Sequence, residues 1–547
     1  MKKIIACLLG SVSLINATHA QQAKAYQSKV WLADNGNGTY KNPILHADYS
    51  DPDAIRVGND YYLVSSSFNA APGLPILHSK DLVNWRLIGY ALQQQPPFEY
   101  FSKVQHGNGV WAPVIRYHNN EFYIYYPDPD FGIYVTKAKI ITGPWTDPVL
   151  VQAGKGLIDP CPLWDDNGKV YLAHALAGSR AGFKSVILVK ELNTAGDKVI
   201  SNGVLVYDGH ELDATIEGPK IYKRNKYYYI FAPAGGVGTG WQTILRSKNI
   251  YGPYERKVVL EQGTTKINGP HQGAWLQTQT GEDWFIHFQD RDAYGRIVHL
   301  QPVKWINDWP VMGVDKDGDG KGEPVMVYKK PNVGKTYPLS SPQESDEFND
   351  PAMGLQWQWH ANPTLNWAFS FPGKGVLRLN SILPPDSAKN LWDVPSLLMQ
   401  KFPAEEFVAT AKFSFTPKTI GEKFGLVVMG MSYADIAVSN TNDGINISYT
   451  SCNEADKGKQ ETVKQISKIK GDGDLYFRLK VDKGAVCTFS YSTDGKMFTS
   501  VPDKFTATPG RWIGATMGFF CSRTQKINDA GFAEVDWFRI EATPSPL

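Results

Sequence analysis

One phrase recurs five times between residues 51 and 287: a polar or acidic residue beside Pro or Gly, a polar turn, then an aromatic strand. It runs Asp51-Pro52-Asp53 ahead of Tyr61-Tyr62-Leu63-Val64, and Trp111-Ala112-Pro113 ahead of Phe122-Tyr123-Ile124-Tyr125. Asp159-Pro160-Cys161 precedes Val170-Tyr171-Leu172-Ala173, and Ile216-Glu217-Gly218-Pro219 precedes Tyr227-Tyr228-Tyr229-Ile230-Phe231. His271-Gln272-Gly273 precedes Trp284-Phe285-Ile286-His287. Repeats of about 50 residues built on short aromatic strands mark a β-propeller, each copy a four-stranded blade around a central channel.

If matching positions of the copies open the innermost strands, Asp51, Asp159, Glu217 and His271 converge on one axis despite their separation in sequence. The repeat itself does not demand acids there, since the second copy carries Trp111-Ala112. The acids therefore read as chemistry. Hydrolysis of a glycosidic bond needs one carboxylic acid to protonate the leaving oxygen and one carboxylate to activate water or attack the anomeric carbon. Glu217, between apolar Ile216 and the Gly218-Pro219 turn, suits the first role, because desolvation keeps an acid protonated near neutral pH. Asp51, ahead of a stiffening Pro, suits the second. Asp159 would raise the pKa of Glu217 by like-charge repulsion and hold it in one rotamer. Singly, Asp51 would be an ordinary turn residue. His271 alone offers no metal-ligand spacing and reads by pattern as a core residue. Arg296 either binds a sugar hydroxyl or an acid, or locks a blade by an ion pair.

The chain of 547 residues is too long for one core and predicts two or three domains. A net charge of +2 without a basic run argues against a nucleic-acid partner. The 50 Gly and 35 Pro, with 12% aromatics and little helical periodicity, predict an all-β protein. At the N-terminus, Lys2-Lys3, an apolar run over 4–15 and small residues up to Ala20 read as a secretory signal peptide, residues 1–20. The run is too short to span a bilayer, so the expectation is an exported protein, periplasmic or secreted, with no membrane span. Cys7 belongs to that run. Cys161, Cys452, Cys487 and Cys521 show no metal spacing and read as buried thiols, with a Cys452–Cys487 or Cys487–Cys521 bridge left open.

The repeats assign residues 21–328 to a five-bladed propeller, its first residues a wrapping leader. Residues 329–345, rich in Lys, Pro and Ser, suit a linker. Residues 346–547 carry alternating strands such as Leu475-Tyr476-Phe477-Arg478-Leu479 and predict a C-terminal β-sandwich. Asp315-Lys316-Asp317-Gly318-Asp319-Gly320 imitates a calcium loop, yet Met326 stands where the bidentate Glu is needed, so a Gly-rich turn is expected.

Taken in order, Asp51-Pro52-Asp53, Gly109-Val110-Trp111-Ala112-Pro113, Ile158-Asp159-Pro160, Ile216-Glu217-Gly218-Pro219 and Gly295-Arg296 with Gln301-Pro302-Val303 resemble glycoside hydrolase family 43. Ser345-Asp346-Glu347-Phe348, Leu355-Gln356-Trp357-Gln358-Trp359 and Gly518-Phe519-Phe520-Cys521 are similar to the β-sandwich of its β-xylosidase and α-L-arabinofuranosidase branch. The resemblance implies an inverting enzyme with Asp51 as general base, Glu217 as general acid and Asp159 as the residue that tunes and orients the acid. It further implies substrate binding by Arg296, an aromatic pocket from Phe68 and Trp111, and His271 near the channel centre, there holding a calcium ion through waters. No cofactor is required. Phe520 matches a region of the sandwich that closes the pocket and favours removal of single terminal sugars.

Asn69-Ala70-Ala71 departs from the bulkier residues of related xylosidases, and the space this implies makes terminal α-L-arabinofuranose of plant hemicellulose the expected substrate, with β-1,4-linked xylose the alternative. An endo-arabinanase predicts an open groove without a capping domain. A binding protein that has lost catalysis should lack at least one of the three acids, and all three are present.

Overall fold

The computed structural model describes residues 25–469 and 473–544, so the proposed signal peptide and Cys7 lie outside the described residues. Five antiparallel four-stranded sheets follow one another along the chain from Asp53 to Met312. Each is contiguous in sequence, as expected when tight polar turns join short strands. The innermost strands are Asp53–Val57, Val114–His118, Leu157–Trp164, Lys220–Arg224 and His271–Gln277. Each of the five sequence phrases sits at the start of one of these.

Side chains tie the inner strands into a ring. Arg116 reaches Asp53 of the first blade at 2.7 Å and Cys161 of the third at 2.9 Å, and Cys161 Sγ accepts the Ile221 N–H of the fourth. Tyr222 of the fourth accepts Trp275 N–H of the fifth, and Arg56 of the first donates to Gln277 of the fifth, closing the circle. Wedges fill the spaces between blades. Trp85, after the turn that Ser79 and Asp81 hold, is fully buried against Leu45, Leu276 and Trp284. The leader adds a latch: Thr39–Lys41 pairs with Val327–Lys329, and Ile44 and Leu45 bond the edge of the fifth blade at Val298.

The 329–345 stretch is not a loose tether. Lys330 pairs with Asp34 and Asp81, Ser340 N–H bonds Asn84, and the Ser28 hydroxyl binds both Glu344 oxygens. Beyond it, two antiparallel seven-stranded sheets pack face to face. Alternation along each strand sends Leu377, Phe477, Leu479, Phe519 and Phe538 into the space between them. Cys161, Cys452, Cys487 and Cys521 are free and buried. Asp315 accepts Gly318 and Gly320 N–H in a Gly-rich turn that also brings carboxylate oxygens of Asp315, Asp317 and Asp319 within 4.8 Å of one another. Among the described residues, no helix is long and apolar enough to cross a membrane.

The sandwich is docked on the propeller by backbone as well as side chains. Ala71 pairs with Trp359, Asn362 bonds both the N–H and the carbonyl of Gln95, and Ala515 N–H donates to Ala293 O at 2.7 Å. The turn over residues 510–514 thereby reaches the mouth of the propeller.

Candidate active site

The backbone aims the acids. Asp51 and Asp159 both lie just before a Pro with positive φ, 52° and 56°, a region that non-glycine residues seldom occupy. In the third blade the residues Asp159-Pro160 fall in a bulge of the Leu157–Trp164 strand, and the fifth blade has a similar irregularity between His271 and Gly273. A bulge turns a side chain out of the alternation of the strand, here toward the channel. The same kink in the fourth blade falls on Gly218, φ 60°, where an added Cβ would lie 2.8 Å from Gln272. Set against the Pro or Gly that follows the kink, Asp51 and Asp159 therefore occupy one position of the repeat, while Trp111, Glu217 and His271 occupy the position before it. The sequence phrase had aligned all four polar groups. The structure offsets them by one residue and still brings them together.

Asp51 is buried and accepts hydrogen bonds from Ser50 at 2.9 Å, Ser66 at 2.6 Å and Arg296 at 3.1 and 3.3 Å. Arg296 also donates to Ser50 and lies 3.7 Å from Asp290, its guanidinium over the Phe288 ring. It thus contacts an acid, as one of the two sequence alternatives required, and does so at the cavity. Asp159 takes the Gly218 N–H at 2.7 Å and Gln272 Nε2 at 3.3 Å. That first bond ties it to the residue next to Glu217. Lys220, fully buried, donates to Gln272 and lends positive charge to this corner.

Burial pushes the Asp159 carboxyl upward, an effect that Lys220 and the Gly218 N–H oppose. Burial, then the charges of Asp159 and Asp51, push Glu217 up to about 8, while Arg296 and Lys184 pull the other way. The Glu217 proton is thereby held through neutral pH. The Glu217 side chain is 33% exposed, so it can meet a ligand. His271 Nε2 stands 3.5 Å from Glu217, and burial followed by the Arg296 charge lowers its pKa to about 3, so the ring is neutral.

The wall is aromatic. Phe68, in the left-handed region at φ 50°, exchanges backbone bonds with Val110 and meets the Trp111 ring edge-on at 6.5 Å. Trp111 is fixed by its indole N–H to Gly107 O, and the Arg180 guanidinium lies 5.3 Å from its ring. From the other domain, Trp512 comes within 6.1 Å of Trp111 and 6.0 Å of the Arg296 guanidinium. A cavity of about 330 Å³, lined by Asp290, Arg296, Met431, Arg511 and Trp512, opens there.

Residues 40–310 match the family described as glycosyl hydrolases family 43, and residues 345–541 match a β-xylosidase C-terminal concanavalin A-like domain. A putative β-xylosidase of Xylanibacter ruminicola is 39% identical, the alignment covering 90% of this chain and 88% of that protein. The chain belongs to glycosyl hydrolase family 43. A β-xylosidase of Formosa agariphila is 33% identical across 96% of this chain and 94% of its own, and a non-reducing end α-L-arabinofuranosidase of Bacteroides ovatus is 28% identical across 93% and 96%.

Two expectations for this family 43 site need correction. Phe520 does not line the cavity. It lies on strand Thr516–Ser522, 2% exposed, in a cluster with Leu391, Trp392, Val427 and Met429. Alternation points it away from the sandwich core, but the loop carrying Leu391 and Trp392 covers it before the propeller begins. Trp512 takes that place. Its signal was a lone Trp in the turn Pro509-Gly510-Arg511-Trp512-Ile513-Gly514, which sequence alone does not tell from any other turn. Nor does Asn69-Ala70-Ala71 leave space for a sugar. Asn69 donates to His360 O and Ala71 pairs with Trp359, so the side chains are small because the sandwich backbone sits against them. Ser66, Gln272 and Lys220 were missed because each acts through an acid on a different blade or strand.

Neither ring nitrogen of His271 makes a hydrogen bond, and the residue is 1% exposed. Calcium prefers oxygen ligands, so the residue fits the water shell of an ion better than the ion itself.

Proposed function

We propose that this family 43 hydrolase is an exo-acting, inverting β-xylosidase that removes terminal xylose from xylan-derived oligosaccharides. One arrangement carries the reading: Asp51 and Asp159 stand close enough to raise Glu217, and Trp512 of the sandwich caps a cavity lined by Arg296, which bonds Asp51. A capped cavity suits the end of a chain, whereas an endo enzyme needs a groove open on both sides. Xylose is preferred to arabinofuranose because the small residues after Phe68 serve domain docking, and because the two relatives of highest identity described above are named β-xylosidases.

Glu217, protonated, donates to the leaving oxygen, which lets the bond break without an alkoxide. Asp51 is the base. Ser50, Ser66 and Arg296 fix its rotamer, and it takes a proton from the attacking water. Asp159 holds the Gly218 N–H, and through it the backbone beside Glu217, while its charge delays the ionisation of the acid. His271, neutral and next to Glu217, suits a water-bound calcium, which when present would supply a fixed positive field at the channel axis. The N-terminal lysines and apolar run support action after export, which N-terminal sequencing of the mature protein would check.

The test is hydrolysis of aryl β-D-xyloside and aryl α-L-arabinofuranoside, with the anomer followed by proton NMR on xylobiose. Xylosidase turnover with α-xylose as first product is expected. Arabinofuranosidase activity alone would reverse the substrate, β-xylose would exclude inversion, and early release of long oligomers from xylan would mean endo action.

A further inference from the structure

Asp48 lies outside the acid triad, is buried, and spends its two oxygens on two domains. Oδ1 accepts the Arg296 N–H at 2.9 Å, and Oδ2 accepts the Gly514 N–H of the sandwich at 3.0 Å. The approach is so close that side chains are excluded: a Cβ on Gly295 would lie 2.5 Å from Asp48 Cγ, and one on Gly514 would lie 2.6 Å from Gly295 N. Hydrogen bonds from backbone N–H to a carboxylate are among the stronger ones, and no side-chain rotamer can loosen these donors.

What the contact holds is a strained turn. Gly510 N–H bonds Ile513 O, and between them Trp512 sits at φ 67° with its side chain 49% exposed. A tryptophan in the left-handed region persists only when its surroundings over-determine it, and such strain gathers at ligand clamps. Within the sandwich the turn is further anchored by the Met431 N–H to Pro509 O and by Arg511, 3.9 Å from Asp456. On the propeller side it has Asp48 and, at the next residue, Ala515 N–H to Ala293 O. Arg296, the other residue on Asp48, is the cation that bonds Asp51.

We propose that Asp48 is a cross-domain positioning residue: by gripping Arg296 and Gly514 together, it sets the Trp512 indole over the cavity in register with Asp51. The inference rests on the glycosidase reading above. Discrimination of a terminal sugar then depends on one carboxylate that never touches the substrate, because loss of either bond lets the cap drift from the base and acid it faces.

The experiment compares Asp48→Asn, Trp512→Ala, the double variant and Gly514→Ala with the parent on aryl xyloside and xylotetraose, with circular dichroism as a check of folding. Asp48→Asn turns one acceptor oxygen into an NH2 donor and so breaks one grip. It should lower kcat/KM on xylotetraose by about 10- to 100-fold, chiefly through KM, since small misplacements near a reacting centre cost that much. Trp512→Ala should do the same, and the double variant should be no worse than the poorer single one, as for residues acting through one contact. Gly514→Ala leaves Asp48 in place and should reproduce the pattern by displacing the turn. Multiplying effects in the double variant, or parent-like kinetics in folded Asp48→Asn, Gly514→Ala or Trp512→Ala, would overturn the proposal. A parent inactive on every pentoside would sink the glycosidase reading and this one with it, whereas an active parent with unchanged variants sinks this one alone.

Discussion

Asp51 and Asp53 are separated by a single proline, are both buried, and are used in opposite ways. Asp53 faces the second blade, where its carboxylate takes the Arg116 guanidinium at 2.7 Å and the Ile115 N–H at 2.9 Å. Arg116 goes on to Cys161, so the charge sits in a belt joining the first four blades. Asp51 faces the cavity, its cation Arg296 shared with Ser50 and Asp290, and two other carboxyls are close enough to feel its charge. One layer pairs charge to hold the ring. The other gathers like charges that the ring alone would disperse. Position along the inner strand thus separates two uses of a carboxylate: the ordered strand begins at Asp53, and the kinked Asp51 before it belongs to the candidate reacting group.

The sharpest way to break this contrast is Glu217→Gln. If the kinked layer performs the chemistry, kcat should fall by about 10²- to 10⁴-fold on a xyloside whose leaving group needs a proton, the range general-acid loss gives. The melting temperature should not fall, because the variant removes a carboxyl crowded by Asp159 and Asp51. Parent-like turnover would move the acid elsewhere.

Asp53→Asn makes the opposite claim. It leaves Arg116, whose side chain is 14% exposed, without its carboxylate, and should cost about 3 kcal/mol of stability in denaturant melts. The folded fraction should keep its kcat, since Asp53 bonds the second blade and no group of the triad. A collapse of kcat with unchanged stability would erase the distinction between the two layers.

The same contrast explains what could be read from sequence. The propeller was legible because each blade repeats its own Pro- or Gly-marked kink, and the sandwich because alternation in strands such as Leu475–Asp482 survives into burial. The acids were legible because a repeat does not need them. Their one-residue offset shows in the sequence only as spacing to the next Pro, one residue after Asp51 and Asp159 and two after Glu217, and that spacing does not by itself say which residue carries the kink. The sandwich contribution was misplaced for a related reason. Phe520 looked like a cap by its motif, but what covers a strand face is a loop distant in sequence, here Leu391 and Trp392. Asn69-Ala70-Ala71 looked like space for a ligand, but the sandwich backbone at Trp359 and His360 meets it there and leaves a hollow of only about 50 Å³. Residues that act through backbone groups, as Asp48 does, leave no residue pairing in the sequence to find.

The finest test of the crowded layer is Asp159→Asn, which keeps the shape of the side chain and removes its charge. In the parent, the alkaline limb of kcat/KM against pH should report Glu217, whose proton is held to about 8 by burial and by its two acidic neighbours. Loss of the Asp159 charge makes the ionised form of Glu217 less costly, so its pKa falls and activity is lost at a lower pH than in the parent. The Gly218 N–H bond can persist to the amide oxygen, so the backbone beside Glu217 need not shift. An alkaline limb that stays in place would mean that burial alone raises Glu217, and that Asp159 serves the acid only by holding Gly218.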